Sequence, residues 1–347
     1  MALQYQKSAF FKYGLMAILI TGIGVLAFFY LYQRKTARAL ATCIYTVLDK
    51  YRITYDIDAC SVDSTYDKTP KPVSGISQFI DHIAQLVAKK HPLNMLVVSF
   101  PFKSANHDKK TLSALPDMAE RRSLEYLQTI LNEIKQVYPP GVQLTVFCDG
   151  IPFAPLFHIP YSNVVTYQQA LQALASDLPD IKLYTAADLM RDHHLKQLED
   201  INTLIDTFNQ VSKASGQSVA ETTRKRLALE FDYPAGQVLL AKEPLKNLAS
   251  RLSSREAAFQ NYIHTSFPAA HYLRLTVHFY HDVSKKFGIK LSPHSCVTPY
   301  HGVLVEEIDG SWSIRYKKDI NLKHYTLATQ NINGINCPYF KPITERE

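Results

Sequence analysis

The sequence predicts an α/β fold: a Rossmann-like, mostly parallel sheet with a helical insertion and C-terminal strands, preceded by one transmembrane helix. Between residues 76 and 148, short apolar runs alternate with stretches of helical periodicity, as in parallel strands joined by crossover helices. Helical spacing then dominates residues 162–268, and strand-like alternation follows. Near the N-terminus, one uncharged stretch has the length of a membrane span.

Composition and charge exclude several classes of protein. The 347 residues are 46% hydrophobic and 20% charged, as in an ordinary globular protein. The net charge of +7 is spread along the chain without a long basic run, so we expect no nucleic-acid binding. A mild positive balance suits substrates that carry phosphate or carboxylate. The five cysteines contain no CxxC pair, so we expect neither a disulfide framework nor a structural zinc site.

The predicted membrane segment is Gly14–Tyr32, nineteen residues without a charge. As a helix with a rise of ~1.5 Å per residue it would cover ~28 Å, close to the thickness of a bilayer core. A cleaved signal peptide is the alternative, because residues 39–41 resemble a cleavage box. The longer apolar run favours an N-terminal membrane anchor over residues 1–35, followed by one α/β domain over residues 36–347. Basic residues after the segment predict a single-pass membrane protein with a cytoplasmic body.

Two apolar runs predict the first strands of the sheet. Leu93–Phe100 and Val142–Cys148 each follow a stretch of helical periodicity. Asp117 and Glu120 form a capping box, which predicts the start of the helix that joins the two strands. Polar segments follow both strands, and ligands of such sheets lie beyond the carboxyl ends of the strands. Asp149 therefore falls where a ligand is expected.

A third strand is predicted from Tyr272 to Phe279, where polar and apolar residues alternate. Arg274 and His278 share its polar face, ~13 Å apart at ~3.3 Å per residue. An arginine on a rigid strand suits a carboxylate or a phosphate. A solvated sheet face is the alternative.

The loop after the first strand is rich in hydrogen-bond donors: Lys103, Ser104, Asn106 and Lys109. It lacks the glycines of a phosphate-binding loop. Its donor-rich composition fits either an anion-binding loop or an exposed polar loop.

The C-terminal part predicts a hairpin, in which His301–Ile308 and Trp312–Tyr316 flank Asp309-Gly310. His301 stands at the start of the first of these strands. Several histidines lie in this region, but no HExxH or HxH pair with a carboxylate appears, so we expect no metal site.

Taken together, these segments resemble, in order and spacing, the pyoverdine/dityrosine biosynthesis family, which includes the isonitrile (isocyanide) synthases. The resemblance covers residues from about 100 to 310. It rests on Phe100–Asn106, Leu115–Glu120, Tyr138–Gly141, Asp149-Gly150 with Phe153, Tyr272–His278 and Thr298–His301.

The resemblance implies a lyase-type enzyme of secondary metabolism that needs neither a metal nor a cofactor. Its substrates would be an aromatic amino acid, L-tyrosine or L-tryptophan, and ribulose 5-phosphate as co-substrate. The amine would condense with the sugar ketone to an imine, and carbon–carbon cleavage would leave the sugar's C2 as the isonitrile carbon. An iron/2-oxoglutarate oxygenase is the expected downstream partner.

The same resemblance implies roles for ten residues. The catalytic candidates are Asp149, Arg274, His278 and His301; the substrate-binding candidates are Lys103, Ser104, Asn106, Lys109, Asp117 and Tyr300. Among them, Lys103, Ser104 and Lys109 are expected to bind the sugar phosphate, and Arg274 another anionic group.

The sequence departs from the family pattern in three ways, one of which is the predicted membrane anchor, which typical members lack. Tyr300 stands where the family usually has Trp, and Ile151–Pro155 lacks the Arg and the acid that the family tends to carry there. Two further interpretations stay open: a formyl-tyrosine-forming enzyme, and a non-catalytic membrane-anchored binding protein on this scaffold.

Overall fold

The computed structural model describes residues 30–55, 69–208, 221–294 and 297–343. At its centre is a five-stranded sheet with the order β3-β2-β1-β4-β5. The strands are β1 (Leu93–Val98), β2 (Val142–Phe147), β3 (Ile181–Tyr184), β4 (Leu273–Thr276) and β5 (Phe287–Gly288). All four pairings are parallel, which confirms the predicted α/β class.

The helices lie between and beside these strands. They are α1 (30–50), α2 (Ile76–Val87), α3 (Met118–Val137), α4 (Gly150–Phe153), α5 (Tyr161–Ala175), α6 (Ala186–Asp192), α7 (Glu199–Thr207), α8 (Glu221–Glu230), α9 (Pro234–Lys242) and α10 (Leu245–Ser266). Helix α3 begins at the predicted capping box: Ala119 N donates to Asp117 Oδ1 (2.8 Å), and Asp117 N donates to Glu120 Oε2 (2.9 Å). Reciprocal capping satisfies the first amides of a helix, so the crossover from β1 to β2 starts where the sequence predicts.

The two faces of the sheet carry separate apolar clusters. Met95 and Val97 of β1 pack with α1, α2 and α3 on one face. Leu96 of β1 packs on the other face with Phe147 and with residues of α4 and α7–α10. Strands buried on both faces are typical of parallel sheets with helices on each side. The helical insertion therefore forms a layer over the second face.

A second, smaller sheet follows near the C-terminus. Its strands are β6 (Val303–Glu306), β7 (Trp312–Arg315), β8 (Tyr325–Ile332) and β9 (Ile335–Pro342), in the order β7-β6-β9-β8. β6 and β7 are antiparallel, and Gly310 between them has φ +78°, which confirms the predicted hairpin.

The predicted membrane anchor needs correction. In the part of the chain that the structure describes, no helix is both long and apolar enough to cross a bilayer. Residues 1–29, which hold most of the predicted segment, lie outside the described residues. Helix α1 places Ala41, Ile44 and Leu48 in the core, because its apolar side chains recur at helical spacing and pack on the sheet. The predictions of a transmembrane helix and of a single-pass membrane location are therefore wrong for the described chain.

Candidate functional site

A cavity of about 350 Å³ opens at the carboxyl ends of β1, β2 and β4. Val98 and Thr276, the last residues of β1 and β4, line it together with Ser99, Asp149 and His278, which follow β1, β2 and β4. Helices α8 and α10 complete the wall opposite the strand ends. Parallel α/β sheets place their ligands at this edge, so the cavity is the candidate active site.

The loops after β1 and β2 approach each other closely at Gly150. A Cβ atom on Gly150 would stand 2.1 Å from the carbonyl oxygen of Pro101, so only glycine fits there. Phe100, on the facing loop, has φ +56°, a conformation that non-glycine residues rarely adopt. Backbone strain of this kind often persists at functional sites. The close approach holds the β1 loop against Asp149.

The Asp149 carboxyl lines the cavity with one of its two oxygens unpaired. Its Oδ1 is buried and has no hydrogen-bond partner among the described residues, and the same holds for Ser99 Oγ at the end of the next strand. Burial raises the pKa of Asp149 to about 7. A hydrogen bond from its own backbone N–H opposes the rise, Glu256 adds to it, and His278 opposes it. Buried polar groups are normally paired. Two unpaired groups at adjacent strand ends therefore mark where a polar ligand would bind.

His301 belongs to a buried network on the opposite wall. Lys110 Nζ forms an ion pair with Glu230 and lies 3.0 Å from His301 Nδ1. Ser104 Oγ donates to the other carboxylate oxygen of Glu230. Burial and the neighbouring Lys110 lower the pKa of His301 to about 4, so the ring is neutral at pH 7. Nδ1 also lies 3.3 Å from Glu230 Oε2, so it can accept from Lys110 or donate to Glu230. A neutral ring that accepts from Lys110 carries its proton on Nε2.

One part of the cavity wall is aromatic. Phe102 and Phe157 are in edge contact at 5.7 Å between ring centroids, and so are Phe153 and Phe259. Leu252 lines the same cavity. Such a surface suits the flat apolar side chain of an aromatic ligand.

The sequence matches the model of a known protein family over most of the described chain. The family model described as "Pyoverdine/dityrosine biosynthesis protein" matches residues 83–243 and 239–328. The chain belongs to this family. The matched ranges include β1 to β4 and the strand ends that form the cavity.

Curated relatives and a solved structure agree with this membership. The L-tryptophan isonitrile synthase AmbI2 of Fischerella ambigua is 26% identical over 74% of this chain and 80% of its own length. An L-tyrosine isonitrile synthase of Pseudomonas aeruginosa is 29% identical, over 66% of this chain and 74% of its own length. The crystal structure of the PvcA protein from Pseudomonas aeruginosa shares the fold, with a TM-score of 0.68 at 23% identity over 88% of this chain and all of that one.

In this member of the pyoverdine/dityrosine family, four predicted site residues meet at the cavity. They are Asp149, His278, Tyr300 and His301. Their chemical roles stay predictions. Tyr300 is buried and stands in edge contact with Phe100 at 6.1 Å, so it also packs the strained turn after β1.

Lys103 and Asp117 lie in the interior, outside the cavity lining. Lys103 Nζ stands 2.9 Å from Asp117 and 2.8 Å from Glu120, and it donates to the Pro299 carbonyl at 3.0 Å. Tyr167 also donates to Glu120, at 3.2 Å. Burial raises the pKa of Glu120 above its usual range, and the ammonium of Lys103 opposes the rise. The lysine is thus occupied by carboxylates and ties the start of α3 to the loop that carries His301.

Asn106 and Lys109 hold the end of helix α8. Asn106 Nδ2 donates to the carbonyls of Leu229 and Asp232 at 2.9 and 3.2 Å. Lys109 Nζ pairs with the Asp232 carboxylate at 2.6 Å. With Ser104 on Glu230, these contacts fix the segment that closes one side of the cavity.

Arg274 lies beside the main cavity rather than in it. Its Nε donates to the Phe267 carbonyl at 3.1 Å, its Nη2 to the His264 carbonyl at 3.3 Å, and its Nη1 contacts the His264 ring. It lines a smaller cavity of about 40 Å³, to which Lys286 also contributes. Lys286 lines both cavities.

Sequence reasoning missed several charged groups of the cavity wall and of its network. They are Lys110, Arg226, Glu230, Glu256 and Lys286. Lys110 directly follows Lys109, and only the fold decides which of the two faces inward. Within the described ranges, no group of three or more His, Cys, Asp or Glu side chains is arranged to hold a metal ion; that the reaction is metal-free stays a prediction.

Proposed function

We propose that this chain is an isonitrile synthase that acts on an aromatic L-amino acid and takes the isonitrile carbon from ribulose 5-phosphate. The observation that carries the proposal is the buried, unpaired oxygen Oδ1 of Asp149 in a cavity with an aromatic wall. The names of the relatives, L-tryptophan and L-tyrosine isonitrile synthases, support the same activity.

Asp149 has the acidity that the first step requires. An amino acid enters as an ammonium ion and must lose a proton before its nitrogen can attack the sugar ketone. A carboxyl whose pKa is about 7 exchanges protons readily near neutral pH. We assign to Asp149 the proton transfers at the amine and at the later imine, with His278 as its neighbour in the cavity.

His301 suits the role of a neutral donor. With its proton on Nε2 it can donate to the sugar oxygen that leaves as water when the imine forms. Lys110 and Glu230 hold the ring. Burial and Lys110 keep it uncharged, against the opposing effect of Glu230. Lys103, Ser104, Asn106, Lys109 and Asp117 then act by holding helix α8 and the His301 loop in place.

The aromatic wall supports an aromatic side chain on the amino acid. Phe153 lies in the segment Ile151–Pro155, where Ile151 and Ala154 are buried in the apolar cluster. The absence of charged residues in this segment favours a neutral substrate side chain. The reaction would be of the lyase type, and an iron/2-oxoglutarate oxygenase remains the proposed consumer of the product.

Mass spectrometry of the full chain with ribulose 5-phosphate and a mixture of amino acids tests the proposal. We expect one aromatic amino acid to gain a carbon and lose two hydrogens. Gain of carbon monoxide instead would identify the formyl-tyrosine reaction. Binding of an amino acid without any product would identify a binding protein.

Two variants control this experiment. Asp149→Asn removes the cavity carboxyl and should abolish product formation. Asp309→Asn removes a carboxylate from the exposed β6–β7 turn, where it accepts from Ser311 N, and should leave product formation unchanged. Equal activity of both variants would contradict the role of Asp149.

A further inference from the structure

A cluster of basic side chains lines the small cavity at the end of β4. Lys286 and Arg274 face this cavity together with His264 and Lys285, and its lining contains no acidic side chain. Lys285 forms an ion pair with Asp282 at 3.5 Å and is 70% exposed, so it stands at the outer edge. Arg274 and Lys286 are the inner cations.

Neither inner cation has a carboxylate partner within ion-pair distance among the described residues. Arg274 is held by the carbonyls of His264 and Phe267 at the end of α10, and a guanidinium has five N–H donors, so these contacts leave donors for a ligand. The ammonium of Lys286 lies 5.7 Å from the centre of the Tyr280 ring.

The electrostatics of the cluster indicate a missing negative charge. Burial lowers the pKa of Arg274, and burial, Arg274 and Lys286 together lower the pKa of His264. Burial lowers the pKa of Lys286; Glu256, which lines the main cavity, opposes this effect, and Arg274 adds a smaller lowering effect. Cations that depress one another in a partly buried cavity are stabilised when an anion binds between them.

The size and place of the cavity suit the end of a sugar phosphate. About 40 Å³ holds about three water-sized groups, the number of terminal oxygens on a phosphate monoester. Val98, Gln260, Thr276 and Lys286 line both the small and the main cavity. A ligand that reacts beside Asp149 could therefore extend its phosphate towards Arg274.

We propose that Lys286 and Arg274 form the phosphate subsite for ribulose 5-phosphate, with the small cavity at the end of β4 receiving the phosphate oxygens. This inference rests on the proposed function for the identity of the sugar. The phosphate is thereby assigned to the end of β4 and not to the loop of Lys103 and Lys109, because those two lysines already pair with carboxylates.

Calorimetric titration of the full chain tests the subsite, with inorganic phosphate and ribulose 5-phosphate as ligands. Lys286→Met should weaken both by about 10- to 100-fold, the effect of losing one charge-assisted hydrogen bond. Lys286→Arg, which keeps the charge, should bind both within a few-fold of the wild type. Lys182→Met, a matched loss of one exposed lysine on β3, should bind both as the wild type does.

Further ligands and one further variant separate this site from its rivals. Unphosphorylated ribulose and the aromatic amino acid should bind Lys286→Met as they bind the wild type. A selective loss of amino-acid binding would show that the cluster holds the carboxylate, and would overturn the inference. A larger loss of phosphate affinity in Lys109→Met than in Lys286→Met would return the phosphate to the β1 loop and overturn it too, as would a wild-type chain that binds neither phosphate ligand.

The inference and the proposed function fail in different ways. If the wild type binds phosphate through Lys286 but forms no isonitrile, the proposed function fails and the anion site stands. If isonitrile forms and Lys286→Met leaves KM for ribulose 5-phosphate unchanged, the subsite fails and the proposed function stands.

Discussion

Replacing Asp149 by asparagine should stabilise the fold at alkaline pH while it removes the activity. The carboxyl is partly enclosed at the end of β2, and burial raises its pKa from 3.8 to about 7. The folded chain therefore holds this proton more tightly than the unfolded chain does. That contribution to the free energy of unfolding is fully present below pH 3.8 and is lost as the pH rises through 7.

The size of the effect follows from the pKa. A rise of about three pH units corresponds to roughly 4 kcal/mol over the whole range, at ~1.4 kcal/mol per unit. Between pH 5 and pH 8 the wild type loses the stability that corresponds to about two of these units, roughly 3 kcal/mol. Because Asp149 is partly open to the cavity, solvent reduces the figure to about 2 kcal/mol. Asp149→Asn has no carboxyl at this position, so it does not lose this stability as the pH rises.

Urea unfolding of the wild type and of Asp149→Asn at pH 5 and pH 8 measures this difference. The free energy of unfolding of the variant minus that of the wild type should be about 2 kcal/mol larger at pH 8 than at pH 5. Asp309→Asn, which removes an exposed carboxylate, should show no such gain. Wild-type and Asp149→Asn profiles that stay parallel between the two pH values would refute the reasoning.

Further predictions concern the buried network, the turn at Gly150 and the aromatic wall. Glu230→Gln removes the carboxylate that pairs with buried Lys110 and should cost about 3–5 kcal/mol of stability in urea unfolding. Adding Lys110→Met should recover much of the loss, and additive losses would contradict the pairing. Gly150→Ala forces a methyl group against the Pro101 carbonyl and should cost about 1–3 kcal/mol, seen as a lower melting temperature; an unchanged melting temperature would contradict the close approach. Phe153→Ala should raise KM for the aromatic amino acid roughly 10-fold or more without changing KM for ribulose 5-phosphate, and an equal rise in both constants would argue against an aromatic subsite.

The central strands could be predicted from the sequence because burial on both faces leaves a continuous apolar run. Leu93–Phe100 predicts β1 to within two residues, and the capping box of Asp117 fixes the start of the next helix. Strand β3 was not predicted. Ile181–Tyr184 has only four residues and lies in a stretch where helical spacing dominates, so its pairing with β2 decides its conformation.

The site was partly predictable for the same reason. Asp149 follows a predicted strand, and parallel strands bring such residues to one edge. His278 was predicted inside the strand Tyr272–Phe279, but β4 ends at Thr276, so His278 follows the strand and reaches the same edge. The ion pairs of Lys103 could not be predicted from the sequence. Its ammonium pairs in the interior with the capping residues Asp117 and Glu120, and only the fold brings these side chains together. Lys286 lies far along the chain beside β5, and only the sheet order brings it to the cavity.

Tracing the C2 carbon of ribulose 5-phosphate tests the central claim most directly. The full chain is incubated with ribulose 5-phosphate carrying ¹³C at C2 and with L-tyrosine or L-tryptophan, and the product is analysed by mass spectrometry and carbon NMR. An isonitrile whose terminal carbon carries the label would confirm the proposed reaction. An unlabelled product, or an amino acid recovered unchanged while the sugar phosphate is not consumed, would contradict it.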